Sequence, residues 1–317
     1  MAFAIRDLPR RYTRGDRPRP RLPISVQNSL LRTASILMNA ASRGVLALPP
    51  AARYSVADAL TGPAAPLFLA RRPYIAGNYA AALGAEESRE HARRLARAGV
   101  RNYGRMAMDF LAVRVMSDAE VLAWVTPRHL EHFESALGDG RGIIMALPHL
   151  GSWDVAAAFA QAYGCALTVV TENDWAAKLV AGSRNGRGLT LAPREGSVRV
   201  IFRALAARGC VAMLCDAAPP GVPTVSVPLF GRLAPFPAGP ARLAHRTGAP
   251  ILVVGSVRQP DQSYRLELQP PIRVDRSLPA EQAIPVATRA MVAGFERLIA
   301  AYPDQWYPYR PVWPDRA

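Results

Sequence analysis

Gly142-Ile-Ile-Met-Ala-Leu147-Pro148-His149-Leu150-Gly151-Ser152-Trp153-Asp154 joins two kinds of sequence. Gly142 to Leu147 is an apolar run bounded upstream by Gly138-Asp-Gly-Arg141, which reads as a buried strand, most simply a parallel one. Val155-Ala-Ala-Ala-Phe-Ala-Gln-Ala-Tyr163 is strongly helix-forming, and Gly164 stops it. Ser152 stands where an N-cap belongs. A histidine at the carboxyl end of a strand, with an acid in the first turn of the next helix, occupies the crevice where open α/β sheets place their chemistry. On this reading His149 is a general base and Asp154 is the group that orients it.

A histidine and an acid five residues apart form a weak signal, because the 317 residues hold 5 His and 24 acids. His129 and Glu134 make a second match. They fall inside one expected helix, where five steps of roughly 100° set the side chains about 140° apart. That pair reads as helix surface, as do His91 and His132. His149 and Asp154 straddle a strand-to-helix turn, where Gly151 permits a tight fold and the side chains can converge. The bland alternative, in which His149 only caps strand-end carbonyls, stays open. His245 reads as core or as the wall of a site.

Other chemistries lack their residues. There is no G-x-S-x-G elbow, no Gly-rich phosphate loop and no Walker-type lysine. Cys165, Cys210 and Cys215 lack metal spacing, and their odd count argues against a disulfide framework, as expected of a reducing compartment. No metal or other cofactor is expected. What remains is a His–Asp dyad whose nucleophile is a substrate hydroxyl: His149 takes its proton and the oxygen attacks an activated acyl carbon.

Outward from this stretch the grammar differs on the two sides. After Arg141, expected strands at Gly142–Leu147, Ala166–Thr171, Thr190–Ala192, Cys210–Leu214, Thr224–Pro228, Pro250–Val257 and Tyr264–Leu268 alternate with helices. The helices are expected at Trp153–Tyr163, Trp175–Ser183, Ser197–Arg208, Gly239–Thr247 and Pro285–Ala301. The fold class is therefore α/β, a mostly parallel central sheet flanked by helices. Before residue 141 the chain reads helical, with Ile24–Leu48, Tyr74–Leu83, Glu86–Arg114 and Asp118–Leu137 as helices. The division is a disordered basic tail over 1–23, a helical section over 24–140 and a catalytic core over 141–317.

The formal charge is +15, carried almost wholly by arginine, and it implies an anionic partner. Residues 1–23 hold seven Arg and four Pro and lack the apolar h-region of a signal peptide. No run of about 18 apolar residues suggests a spanning helix. Ile24–Leu48 is amphipathic, so it either packs on its own domain or lies among membrane headgroups. Aromatics do not alternate with the arginines, so nucleic acid is not expected as a partner.

His149-Leu-Gly-Ser-Trp-Asp154 after an apolar strand resembles the HX4D/E block of the lysophospholipid acyltransferase superfamily. Arg194-Glu-Gly-Ser-Val-Arg199, the strand Cys210–Asp216, Val225-Ser-Val-Pro-Leu-Phe-Gly231 and Pro237-Ala-Gly-Pro-Ala-Arg-Leu-Ala-His-Arg-Thr-Gly-Ala-Pro250 are similar to its lipid A and phosphatidylinositol mannoside acyltransferase branch, as is the ending Tyr302-Pro-Asp-Gln-Trp306. The Pro237–Pro250 block favours the mannoside type. The resemblance implies a monomeric O-acyltransferase, peripheral on the cytoplasmic face of the inner membrane and drawn to its anionic surface. It would move a fatty acyl chain from acyl-CoA or acyl carrier protein to a glycolipid hydroxyl. It places His149 as base, Asp154 as its partner, Asp216 as a third catalytic residue where the mannoside enzymes carry a Glu that also contacts the base, and Arg184 and Glu172 beside the acceptor. Arg232 follows Gly231 where the family carries an acid or a small residue, so it also falls at the acceptor. Ala217-Ala-Pro-Pro-Gly221 departs from the family's Gln or Arg-Asp. The competing expectations are a lipid A-type or lysophosphatidic acid acyltransferase and, outside enzymes, a basic lipid- or nucleic-acid-binding protein.

Overall fold

A computed structural model describes residues 24–84, 89–171, 189–194, 196–219 and 221–313. The expected tail over 1–23, the helix Trp175–Ser183 and the candidate residues Glu172 and Arg184 lie outside the described residues.

Five helices open the described chain: α1 (Ile24–Ala47), α2 (Pro50–Ala70), α3 (Pro73–Leu83), α4 (Arg89–Val113) and α5 (Asp118–Trp124). There follow β1 (Val125–Arg128), α6 (Leu130–Gly138), β2 (Ile143–Leu147), α7 (Trp153–Ala162), β3 (Leu167–Thr171), β4 (Thr190–Pro193), α8 (Val198–Ala206) and β5 (Cys210–Leu214). The hairpin β6 (Thr224–Leu229) and β7 (Arg232–Pro237), α9 (Gly239–Thr247), β8 (Ile251–Arg258), β9 (Tyr264–Leu268) and α10 (Ala280–Ala301) complete it.

The seven-stranded sheet has the order β1-β9-β8-β2-β5-β3-β4. All its pairings are parallel except β8 with β9. The fold is thus α/β with helices on both faces. Alternation along the strands divides the core, because successive side chains point to opposite faces. Ile144, Ala146, Val211, Ile251 and Val253 pack with Leu205 and Phe295 on one face. Ile143, Met145, Leu147, Leu252 and Val254 pack with Val155 and Phe159 on the other.

Three elements depart from the sequence expectation. The helix expected over Asp118–Leu137 is broken: β1 interrupts it, and His129 takes a left-handed conformation with φ 60° before α6 begins. Val125 and Thr126 are β-branched and Pro127 brings no N–H, so a helix loses its advantage there, and β9 supplies a parallel partner from Tyr264 to Glu267. Helix α2, which runs through Pro63 and Pro66, covers a stretch where no helix was expected. It persists packed along α4, with Ala57 and Ala65 buried. Strand β7, not expected, pairs antiparallel with β6 across a turn in which Phe230 and Gly231 have φ of 49° and 72°.

Candidate active site

Strands β2 and β5 are parallel neighbours at the centre of the sheet, with Leu147 opposite Leu214. His149 and Asp216 each follow those paired residues by two positions. They therefore emerge side by side at the carboxyl ends of adjacent strands. His149 Nδ1 lies 2.5 Å from Asp216 Oδ1, and the backbone N–H of His149 donates to Asp216 Oδ2 at 3.0 Å. The indole N–H of Trp306 donates to the same Oδ2 at 3.0 Å. The His149 side chain is 34% accessible and that of Asp216 only 4%.

A carboxylate on Nδ1 assigns the proton to that nitrogen, so Nε2 of neutral His149 is left as the basic atom. Burial pushes the Asp216 carboxyl up. The charge of His149 and the hydrogen bonds from His149 and Trp306 outweigh it and hold the group below the ordinary aspartate range. Asp216 is therefore an ionised acceptor, suited to stabilise an imidazolium.

Two acids were expected at the base, Asp154 and Asp216. From sequence, Asp154 orients the imidazole; in the structure the group on Nδ1 is Asp216. Asp154 stands in the first turn of α7, where the Ser152 side chain accepts the Val155 N–H as the expected N-cap. There Asp154 shares with His149 the wall of a cavity of about 410 Å³.

That cavity is mostly apolar. On one side of the sheet it runs along α7, lined by Ala156, Ala157, Ala160 and Tyr163 against Met145, Leu147, Val169 and Leu266. On the other it reaches α8 and α9, at Ile201, Pro240 and Leu243. The alanines of α7 leave room that larger side chains would fill. From Trp153 to Tyr163 the helix presents a wall about 15 Å long. Polar exceptions include Arg194 and Arg310, neither of which the sequence reading assigned to a site. Trp306 and Arg310 belong to the closing segment, and only the chain's return to the sheet brings them here.

Arg232 lies elsewhere. It begins β7, its guanidinium sits 5.9 Å from the Trp313 ring centroid, and it is not among the residues lining the His149 cavity. The β6–β7 hairpin carries it away. His245 is likewise outside, with Nε2 3.1 Å from the Leu278 carbonyl in a groove of its own. His129, exposed, meets Glu131 at 3.0 Å rather than Glu134. Burial pushes the Cys215 thiol up, which keeps it protonated and unfit as a nucleophile.

Residues 25–313 match the family described as bacterial lipid A biosynthesis acyltransferase. The chain is 30% identical over 228 residues to a phosphatidylinositol mannoside acyltransferase of Mycolicibacterium smegmatis, covering 69% of this chain and 72% of the relative. A protein of the same description from Mycobacterium tuberculosis is 28% identical over 193 residues, 58% of each chain. With its match to the family extending from α1 to the last described residue, the chain belongs to the bacterial lipid A biosynthesis acyltransferase family and is an acyltransferase.

Proposed function

We propose that the protein transfers a fatty acyl group from a thioester, acyl-CoA or acyl carrier protein, to a hydroxyl of a glycolipid of the phosphatidylinositol mannoside class. The observation that carries this reading is His149, backed by buried Asp216, in the wall of an apolar cavity large enough for an alkyl chain. The acceptor hydroxyl gives its proton to Nε2 while its oxygen attacks the thioester carbon. The tetrahedral intermediate then collapses, the C–S bond breaks, and the leaving sulfur takes the proton from the imidazolium. An ester and a free thiol result. Asp154, in the same wall, adds negative charge that favours the imidazolium. Alkyl burial supplies binding at about 0.8 kcal/mol per CH₂. The acceptor assignment rests on the descriptions of the two mycobacterial relatives.

No helix among the described residues is long and apolar enough to cross a membrane. Val56, Leu60 and Leu67, at spacings of four and seven on α2, are exposed together with Ile36 and Leu37 of α1. Such a stripe supports a surface that rests on lipid, with the positive charge drawn to anionic headgroups.

The test is an assay of the purified protein with acyl-CoA or acyl carrier protein thioesters, read by mass spectrometry. The candidate acceptors are a mannosylated phosphoinositide, a lipid A precursor and lysophosphatidate. One added acyl chain on the mannosylated lipid is expected, with a loss of about 10²–10⁴-fold in His149→Ala. Full activity of that variant would overturn the mechanism, and acylation of another acceptor alone would overturn the acceptor.

A further inference from the structure

We propose that Trp306 is a positioning residue for the transfer reaction, acting through Asp216, and that Gln305–Tyr307 is the strap that holds the catalytic loop. The proposal rests on the reading of His149 as base. Trp306 has no exposed surface and lies against Tyr79, ring centroids 5.7 Å apart.

The strap grips the loop after β2 from several sides. Tyr307 N–H donates to the His149 carbonyl at 2.8 Å, and Gly151 N–H donates to the Gln305 carbonyl at 2.8 Å. Leu150 and Trp306 form an antiparallel bridge between these bonds. The Gln305 amide is held at both ends on the backbone of Arg258, accepting from its N–H and donating to its carbonyl, each at 2.9 Å. Residues 305–307 therefore touch the base, its carboxylate and the turn between them.

The indole bond decides how the carboxylate stands. The terminal torsion of an aspartate is soft, so one contact at Oδ1 would let the group rotate. Oδ2 is held by two N–H donors, from His149 backbone and Trp306, and the plane of the carboxylate is set by both. An indole N–H can only donate. Buried beside Asp216, it has a use that phenylalanine, smaller and without an N–H, cannot serve. Its loss leaves Oδ2 with the His149 N–H alone, so the carboxylate is held less firmly against Nδ1 and the unproductive tautomer is less disfavoured.

The test is a double-mutant cycle in the full-length enzyme with Trp306→Phe, Asp216→Asn and both. Trp306→Phe is expected to lower kcat about 10-fold or more with KM unchanged, as loss of a charged hydrogen bond would. In the Asp216→Asn background the same change is expected to have no further effect, which a purely structural role for Trp306 would not produce. A folded Trp306→Phe enzyme within twofold of the parent, or losses that multiply in the double variant, would overturn the proposal. Should the phenylalanine variant not fold, benzothienylalanine at position 306 keeps the shape, lacks the N–H and carries the same two outcomes. His149→Ala, run alongside, separates the readings: if it is active the base assignment fails, whereas Trp306→Phe speaks only to the strap.

Discussion

Asp216 shows how one carboxyl acquires its role. Its burial would favour the neutral acid, yet His149 and Trp306 supply donors to both oxygens and the ionised form prevails. Asp216→Asn is expected to lower kcat by about 10²–10⁴-fold, because the amide no longer selects the tautomer with Nε2 free; steady-state kinetics with unchanged circular dichroism would check it. Because the folded-state pKa is depressed, the stability this carboxylate contributes is present above the unfolded value of about 3.9. It is lost as pH falls through the folded value, so the stability difference between parent and Asp216→Asn should shrink on acidification in urea melts. Gly151 is the other residue whose role is local. With φ 61°, it lies so close to β8 that an added Cβ would stand 1.8 Å from the Ser256 carbonyl oxygen. Gly151→Ala should therefore displace the loop, costing more than roughly 2 kcal/mol in denaturant unfolding and abolishing transfer.

At the scale of elements, α7 both carries Asp154 and makes room beside it. Its alanines are good helix formers and poor space fillers, so one run specifies the helix and the cavity together. Ala160→Phe would fill that space. We expect kcat/KM to fall at least about 10-fold for long-chain donors, since each rejected methylene is worth about 1–3 kcal/mol, while short-chain donors stay near parent rates. A donor series of increasing chain length measures it. Elements whose state is set by a distant partner were not legible. β1 is a strand because β9 lies beside it, and α2 survives two prolines because α4 buries its inner face. Periodicity within either segment carries no trace of those partners, whereas Cys210–Leu214, Tyr264–Leu268 and Gly239–Thr247 are bounded by their own residues and were read to the residue.

Across the whole molecule, the helical section and the sheet meet at a buried ion pair. Asp109 on α4 has no exposed surface; it accepts from Tyr54 of α2 at 2.8 Å and Tyr264 of β9 at 2.6 Å, and meets Arg258 of β8 at 3.3 Å. Arg258 also donates to Asn102 of α4 at 2.7 Å. Burial pushes the Asp109 carboxyl up, but three donors aimed at one group are satisfied only by a carboxylate, and we take the pair as ionised. Asp109→Ala would strand the guanidinium in the interior. A loss of about 3–5 kcal/mol is expected by chemical denaturation. Because Arg258 is bonded through Gln305 to the strap, we expect activity in that variant to decline before global unfolding.

By itself the sequence determined the α/β class, the strand that leads into His149, the Ser152 cap, the glycine turn and the family resemblance, because each is written in contiguous residues. It also named Asp154 as the orienting acid, the nearest carboxylate along the chain. The resemblance also brought Asp216 to the base; that Asp216 is the carboxylate on Nδ1 is visible only in three dimensions. β5 inserts beside β2 in parallel register, so residue 216 and residue 149, 67 positions apart, leave the sheet together. Trp306 joins them from the closing segment, where only the folded chain can deliver it.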